Sequence, residues 1–175
     1  MKIRIAFIAS LITTVFCSLA RPAQASWQNI PGCANDIGVG SNSSAWVIGC
    51  SAVAGGDGYE IFSLSGSTWN KVNGAASRIA VQPDGTPWVV TSSGKIFKRS
   101  SGAWQNIPGC AKDIGVGSNS SAWVIGCSAV AGGYEIFSLS GSTWNKVNGA
   151  ASRIAVQPDG TPWVIDSSGK IYRWY

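Results

Sequence analysis

The segment Trp27–Arg99 reads WQNIPGCANDIGVGSNSSAWVIGCSAVAGGDGYEIFSLSGSTWNKVNGAASRIAVQPDGTPWVVTSSGKIFKR. It returns almost letter for letter over Trp104–Trp174, without the Asp-Gly pair that follows the first Ala-Gly-Gly. Each copy divides again, because WQNIPGCANDIGVGSNSSAWV from Trp27 aligns without gaps with WNKVNGAASRIAVQPDGTPWV from Trp69. The chain is therefore built from four repeats.

Two tryptophans mark every repeat. Each repeat opens with a Trp, has a Gly five residues later and carries a second Trp nineteen residues after the first. Successive opening tryptophans are 42, 35 and 40 residues apart, a period typical of propellers and solenoids. The opening tryptophans are Trp27, Trp69, Trp104 and Trp144, and the second ones are Trp46, Trp88, Trp123 and Trp163.

Within each repeat, apolar residues alternate with small or polar ones in short runs bounded by turn residues. This pattern predicts β-strands joined by tight turns, and no helical period follows residue 25. The first repeat predicts strands near Trp27–Ile30, Ala34–Val39, Ala45–Gly49 and Tyr59–Leu64. An ordinary sandwich explains one such strand but not the same alternation in four repeats, so an all-β propeller of four blades is favoured.

The two ends of the repeat array are complementary. The last repeat stops at Lys170–Tyr175 without a following opening strand, whereas the chain supplies one such strand at Trp27. We therefore expect the N-terminal strand to complete the last blade and remove an open sheet edge. The pairing is expected either within one chain or by exchange between chains, which would make the protein a homo-oligomer.

The N-terminus has the pattern of a secretory signal peptide. Lys2 and Arg4 precede an apolar run from Ile5 to Ala20, and Ala23-Gln24-Ala25 supplies the small residues of a cleavage site. A membrane anchor is the alternative, but the run is shorter than the roughly 18 apolar residues of a spanning helix. We expect a signal peptide at 1–25, one domain at 26–175 with no membrane span, and a secreted or periplasmic location.

Charge argues against a nucleic-acid partner. Three of the 13 basic residues lie in the leader, so the formal charge falls from +5 to +2 once the leader is removed. The remaining Lys and Arg residues form no long cluster, whereas a nucleic-acid footprint needs one.

Cysteines occur in pairs in the odd repeats and are absent from the even ones. Cys33 and Cys50 have the same spacing as Cys110 and Cys127, while Cys17 lies in the leader. Each pair is placed symmetrically about a turn, which predicts disulfides Cys33–Cys50 and Cys110–Cys127 in an oxidising compartment. Metal binding is the weaker alternative, because no His and no C-x-x-C motif accompanies the cysteines.

The repeat pattern W…G.A..I.V……WV……IF resembles that of the tectonin repeat family, and it recurs in all four repeats. Tectonin proteins form β-propellers, and characterised members include lectins that bind surface glycans or lipopolysaccharide. The resemblance therefore implies a sugar-binding propeller. In the first repeat the matching residues are Trp27, Gly32, Ala34, Ile37, Val39, Trp46, Val47, Ile61 and Phe62.

A charged residue of alternating sign follows each opening Trp by nine positions, namely Asp36, Arg78, Asp113 and Arg153. One interpretation is that the odd and even repeats simply differ and that duplication copied the difference. The other is that neighbouring blades bring these positions together, with Arg153 meeting Asp36 when the ring closes. An exposed pair of this kind contributes only about 0–1 kcal/mol.

Binding residues are expected in polar loops rather than among the tryptophans. An indole face packs well on a sugar ring, but a Trp at a fixed place in every repeat is more often part of the packed core. The Gly-rich segments 51–58 and 128–133 are further candidates. The residues singled out as ligand-binding are Asn42, Asn119, Asp84 and Asp159.

The predicted function is multivalent glycan or lipopolysaccharide recognition, with no cofactor and no metal. The alternative is a propeller that binds a protein partner through the same loops. We do not expect an enzyme, because the chain has no His and its carboxylates are scattered one to three to a repeat. A carboxylate pair assembled by the fold is the remaining route to glycosidase activity.

Overall fold

The structure is a computed structural model that describes residues 25–175, except for the side chain of Asn119. Residues 1–24 of the expected leader lie outside the described residues. None of the helices in the described part of the chain has the length and hydropathy needed to cross a bilayer.

Residues 25–175 form four antiparallel sheets, the blades, and in each blade strands that follow one another in sequence are neighbours. The four predicted blades are confirmed. Blade 1 contains β1 (Ala34–Val39), β2 (Ala45–Ala52), β3 (Tyr59–Ser65) and β4 (Thr68–Ala76), and blade 2 contains β5 (Arg78–Val81), β6 (Pro87–Val90), β7 (Ile96–Ser100) and β8 (Ala103–Ile107). Blade 3 contains β9 (Ala111–Val116), β10 (Ala122–Val130), β11 (Gly133–Ser140) and β12 (Thr143–Ala151), and blade 4 contains β13 (Arg153–Val156), β14 (Pro162–Ile165) and β15 (Ile171–Arg173).

The first strand of each blade lies on the inside of a β-propeller, where β5 lies between β1 and β9, and β9 lies between β5 and β13. Small residues on these inner strands allow the blades to approach closely. A Cβ atom added to Gly38 would lie 2.8 Å from Val81 Cγ2, and one added to Gly115 would lie 2.7 Å from Val156 Cγ2. The alternation of bulky and small residues therefore fits each inner strand against the next.

Successive strands run in opposite directions, so their connections fall on two opposite faces of the molecule. We call the face with residues 40–44, 82–86, 117–121 and 157–161 the turn face, because tight turns there join the first and second strands. In one of them Gly85 has a φ of +93° and its N–H donates to Gln82 O at 2.8 Å, which confirms the predicted hairpin. The opposite side is the loop face, with residues 53–58, 91–95, 131–132 and 166–170.

Apolar side chains at the blade interfaces form the core. Ile48, Ile61, Ile96 and Ile125 are almost completely buried, and Trp88 is 1% exposed. The Trp88 indole N–H also donates to Gln82 Oε1 at 2.9 Å, so its one polar atom is satisfied inside the core. The second tryptophan of this repeat is therefore a packing residue, as expected.

Both predicted disulfides are confirmed. Cys33 is bonded to Cys50 and Cys110 to Cys127, and each pair has a Cα–Cα distance of 5.6 Å. Each bridge connects the start of an inner strand to the second strand of the same blade.

The N-terminal strand is a correction to the sequence-based expectation. Blade 4 has three strands, Trp27–Ile30 forms no strand, and the Trp27 side chain is fully exposed. The physical reason is that β1 and β13 do not pack along each other in the described chain, so the edge of blade 4 does not lie beside the N-terminal segment. Among residues 25–175 the N-terminal segment does not close the ring within one chain.

Candidate functional site

The sequence-predicted residues Asn42 and Asp84 lie together on the turn face. Asn42 Nδ2 donates to Asp84 O at 2.9 Å, and Asn42 Oδ1 accepts from Ser44 N at 3.1 Å. Ser41 N also donates to Pro83 O at 3.0 Å. These bonds join the turns of blades 1 and 2, so much of the hydrogen-bonding capacity of Asn42 is used within the protein.

Asp159 and Asn119 occupy the corresponding turns of blades 4 and 3. The backbone of Asn119 belongs to a 3-10 turn, Ser118–Ser120, and Ser118 N donates to Pro158 O at 2.9 Å. The carboxylate of Asp159 accepts from Thr161 N at 2.9 Å, and this backbone hydrogen bond lowers the pKa of Asp159. The four predicted residues thus lie in two pairs of neighbouring turns, one joining blades 1 and 2 and the other joining blades 3 and 4.

The Gly-rich segments lie at the opposite end of the blades, on the loop face. There Asp57 reaches from blade 1 to blade 2, where its carboxylate accepts hydrogen bonds from Ser93 N at 2.8 Å and from the Ser93 hydroxyl. Its carbonyl oxygen accepts from Ser92 N at 3.0 Å. Asp57, one of the two residues missing from the second copy, therefore ties blade 1 to blade 2.

A polar hollow of about 340 Å³ opens on the loop face between blades 2, 3 and 4. We call it the cationic hollow, because Arg78, Lys112 and Arg153 line it. Serine and threonine hydroxyls from the neighbouring loop and linkers complete its wall. These residues are Ser77, Thr91, Ser92, Ser93 and Ser152.

One buried carboxylate lies beneath these cations. Asp113 Oδ2 accepts from Arg153 Nε at 3.0 Å and from Ile154 N at 3.0 Å, while Arg78 Nε lies 3.8 Å from Asp113 Oδ1. Burial raises the pKa of Asp113, against the opposing effect of these hydrogen bonds and cations. Among the described residues Arg78 Nε is buried without a hydrogen-bond acceptor.

The alternating charges therefore meet as the second interpretation predicts around Asp113, which lies between Arg78 and Arg153. The two contacts expected of Asp36, with Arg78 and with Arg153, do not form among the described residues. Asp36 makes no ion pair with the described residues, and it accepts a hydrogen bond from Ile79 N at 2.9 Å.

Sequence reasoning missed the cationic hollow, because its three cations come from three different repeats. One signal was present. Lys112 stands where the first copy has Asn35, at one of the few positions where the copies differ. In blade 1, Asn35 Nδ2 donates to Gly49 O at 2.9 Å and carries no charge, so the substitution adds a cation only to the second copy.

Chemically, the hollow presents donors and positive charge to an anion or a polyhydroxylated ligand. Within residues 25–175 no three His, Cys, Asp or Glu side chains come together in the manner of a metal site.

Comparison with solved structures shows a propeller fold at low identity. The chain is similar to Kuenenia stuttgartiensis hydrazine synthase (13% identity, TM-score 0.51, 79% of this chain and 53% of the other). It is also similar to a Bacteroides thetaiotaomicron protein of unknown function (9% identity, TM-score 0.53, 79% of this chain and 46% of the other). A third similar structure is PorZ, a surface component of the Porphyromonas gingivalis type-IX secretion system (9% identity, TM-score 0.53, 81% of this chain and 19% of the other). This chain thus spans about half or less of their length, and the likeness shows the fold alone.

No curated protein matches this chain. The family model described as the Tectonin domain matches residues 49–131, from the second strand of blade 1 to the loop after the second strand of blade 3. This match covers the stretch in which the repeated tryptophans, glycines and inner-strand alternation recur. It confirms the resemblance to the tectonin repeat family that the repeats indicate.

Proposed function

We propose that this protein is an exported carbohydrate-binding propeller whose cationic hollow binds acidic glycans, such as the phosphorylated sugars of lipopolysaccharide. The observation that supports this proposal is the convergence of Arg78, Lys112 and Arg153 on one hollow above a single carboxylate. Three cations and one anion give the hollow a formal excess of positive charge even when Asp113 is ionised.

The chemistry of the wall suits such a ligand. A guanidinium or ammonium group forms short, charge-assisted hydrogen bonds with phosphate or carboxylate oxygens. The Ser92 hydroxyl can exchange hydrogen bonds with sugar hydroxyls, and the Ser152 hydroxyl, which donates to Ile165 O at 3.1 Å, can accept one. The Arg78 side chain is 34% exposed, so its guanidinium carries positive charge at the wall of the hollow.

Two further features support the proposal. The paired disulfides fit a protein exported to an oxidising compartment, in line with the expected leader. The turn pairs Asn42–Asp84 and Asn119–Asp159 offer additional weak contacts on the opposite face, and several weak contacts on one rigid body raise avidity.

The test is retention of the protein on immobilised lipopolysaccharide, followed by elution with free ligand. The informative variant is Lys112→Asn, which gives blade 3 the residue that blade 1 already carries at this position. Loss of one charge-assisted contact should weaken binding roughly 10- to 100-fold. Lys146→Asn is the matched control, since it makes the same change on β12, where Lys146 bonds Glu135 at 2.6 Å outside the hollow.

The outcomes separate three explanations. Equal loss in Lys112→Asn and Lys146→Asn would indicate attraction by net charge and contradict a site in the hollow. Loss only in the double variant Asn42→Ala, Asn119→Ala would place the site on the turn face. Absence of binding across a broad glycan array would contradict sugar recognition and favour the protein-binding alternative.

A further inference from the structure

The opening tryptophans of repeats 2, 3 and 4 lie in the last strands of blades 1, 2 and 3. Each of them occupies the same packing position, which we call the seat. In β4, β8 and β12 its indole packs against the Gly that follows the preceding opening Trp by five positions. A Cβ atom added to that Gly would lie 2.8–3.1 Å from the indole nitrogen, so a side chain there would collide with the ring. The pairs are Gly32 with Trp69, Gly74 with Trp104 and Gly109 with Trp144.

Backbone hydrogen bonds fix two of these indoles. Trp104 Nε1 donates to Asn73 O at 2.7 Å, and Trp144 Nε1 donates to Pro108 O at 2.8 Å. In both cases the acceptor is the residue before the seat glycine. The seat is therefore a specific arrangement of an apolar surface and one carbonyl oxygen.

The fourth seat has no tryptophan in it. A Cβ atom added to Gly149 would meet only Ile136 Cδ1, at 3.4 Å. Around Gly149 lies a cavity of about 400 Å³ lined largely by apolar groups, including Trp123, Val164 and Trp174. This volume falls within the roughly 300–1,000 Å³ of pockets that enclose drug-sized groups, so an indole has room there. We call this cavity the fourth socket.

The residues that suit this socket are present at the start of the described chain. Trp27-Gln28-Asn29-Ile30 is identical to Trp104-Gln105-Asn106-Ile107. The second of these segments is most of β8, which pairs with β7 at the edge of blade 2. The first forms no strand, and its Trp27 is fully exposed. The same four residues thus form an outer strand where a blade edge is beside them.

The geometry of the linkers excludes the chain's own blade 4 as the partner of Trp27. An outer strand passes to the next inner strand through one to three residues, as at Ser77, at 108–110 and at Ser152. Trp27 can therefore complete blade 4 in this way only if β1 lies next to β13. In this chain β1 and β13 occupy opposite ends of the array of inner strands.

The exposed side of β1 identifies what should lie against it. Ile37 and Val39 are 61% and 59% exposed, whereas the equivalent Ile79 and Val81 in blade 2 are 5% and 8% exposed. Next to them, a cavity of about 700 Å³ runs between the N-terminal segment and blade 1, with Phe62 in its wall. In blades 2 to 4 a preceding blade covers this surface.

The charges at the two ends are also complementary. Arg78 of blade 2 lies 3.8 Å from Asp113 of the next blade. At the free end of the array Arg153 occupies the position of Arg78, and at the other end Asp36 occupies the position of Asp113. A second copy placed beyond blade 4 would therefore bring its Asp36 towards Arg153, as blade 3 brings Asp113 towards Arg78.

We propose that the fourth socket receives Trp27 of a second copy of this chain, and that two copies exchange these strands to form one ring. Blade 1 of each copy packs on blade 4 of the other, with residues 27–30 as the missing outer strand. The contact joins two different ends, and such a contact leaves no free end only when the ring closes. Closure buries Ile37 and Val39 and removes the open edge of β15.

Cysteine cross-linking of mixed copies tests the exchange directly. In blade 2, Lys98 pairs with Gln105, and the corresponding pair across copies is Arg173 with Gln28. Protein carrying Gln28→Cys mixed with protein carrying Arg173→Cys should give a disulfide-linked dimer on a non-reducing gel. The matched control replaces Arg173→Cys by Lys98→Cys, whose strand already has its partner and should not link.

Mass measurement provides the second test. Light scattering of the full chain should give the mass of two copies. Trp27→Ala should raise the dissociation constant of the dimer by roughly 100-fold or more, since truncating a buried Trp removes several kcal/mol. Val130→Ala, an exposed change on β10, should leave the mass unchanged. Circular dichroism should show that Trp27→Ala stays folded, because Trp27 has no packed partner within its own copy.

Each result has a consequence. A single-copy mass at micromolar concentration would overturn the proposal, as would a dimer that Trp27→Ala leaves intact. A cross-link formed only when both cysteines are in the same chain, with none between mixed copies, would show closure within one chain instead. These readouts are independent of glycan binding, so failure of either proposal can be recognised without the other.

Discussion

Trp144 Nε1 donates a 2.8 Å hydrogen bond to Pro108 O and rests its ring against Gly109, at the junction of blades 2 and 3. This contact joins the outer strand of one blade to the end of the preceding outer strand. The packing of the ring on a glycine recurs in three of the four blades, so it also defines what the last blade lacks.

Gly109→Ala should destabilise the protein more than Gly149→Ala. The φ values of Gly109 and Gly149 are +146° and +125°, between the extended and left-handed regions. The backbone strain that alanine would introduce is therefore similar at the two positions. Only at Gly109 would the new Cβ lie 2.8 Å from Trp144 Nε1, and such overpacking costs about 1–3 kcal/mol. Urea unfolding of both variants in a Trp27→Ala background, where copies are separate, measures the difference. Equal effects would show that strain alone is responsible.

Trp88→Ala should lower the free energy of unfolding by about 3–5 kcal/mol, as expected for truncating a buried Trp. Trp88 is 1% exposed and its indole N–H is bonded to Gln82. The equivalent Trp163 in blade 4 is 39% exposed, so Trp163→Ala should have a clearly smaller effect in the same Trp27→Ala background. Similar losses for both variants would mean that blade 4 is packed within a single copy.

Removing the disulfide between Cys110 and Cys127 with a double alanine variant should reduce stability by about 3 kcal/mol, the value for a loop of this length. The bridge between Cys33 and Cys50 has the same sequence separation of 17 and should give a similar loss. Unfolding in denaturant measures both, and peptide mapping without reductant verifies the pairing. A cross-blade pair such as Cys33 with Cys110 would contradict the fold.

Asp57→Asn should lower Tm at pH 7 but make little difference in acid. The Ser93 hydroxyl, which donates to the carboxylate, is the main reason that the pKa of Asp57 lies below its ordinary value of 3.8. A lowered folded-state pKa stabilises the protein above 3.8, and this stabilisation is lost as pH falls through the folded-state pKa. Solvent screening keeps the contribution of such an exposed carboxylate below about 1 kcal/mol, so Tm should fall by no more than about 2–4 °C.

Thermal melts at pH 7 and at successively lower pH provide the measurement for this variant. Ser93→Ala removes the donor and should reproduce the same pH dependence. A Tm difference between Asp57→Asn and the unmodified protein that stays constant down to strongly acidic pH would show that the effect is unrelated to the charge.

Local pattern in the sequence predicted most of the blade structure correctly. The period-two run at Ala34–Val39 predicted β1 to the residue, because alternation along a strand is set by the backbone itself. The cysteines are present or absent as pairs across the repeats, and this predicted the Cys33–Cys50 disulfide. The prediction holds because residues placed symmetrically about a hairpin turn lie opposite each other. Four repeats at a propeller period predicted four blades.

Tertiary structure decided what lies between and beyond the blades. The cationic hollow needs Arg78, Lys112 and Arg153 from three repeats, and their meeting depends on the angle between blades, which local sequence does not encode. The same angle decides that β1 does not reach β13, so that Trp27 has no edge to pair with inside one chain. Identical residues form β8 where such an edge exists, because a strand is stabilised by its neighbour rather than by its own sequence.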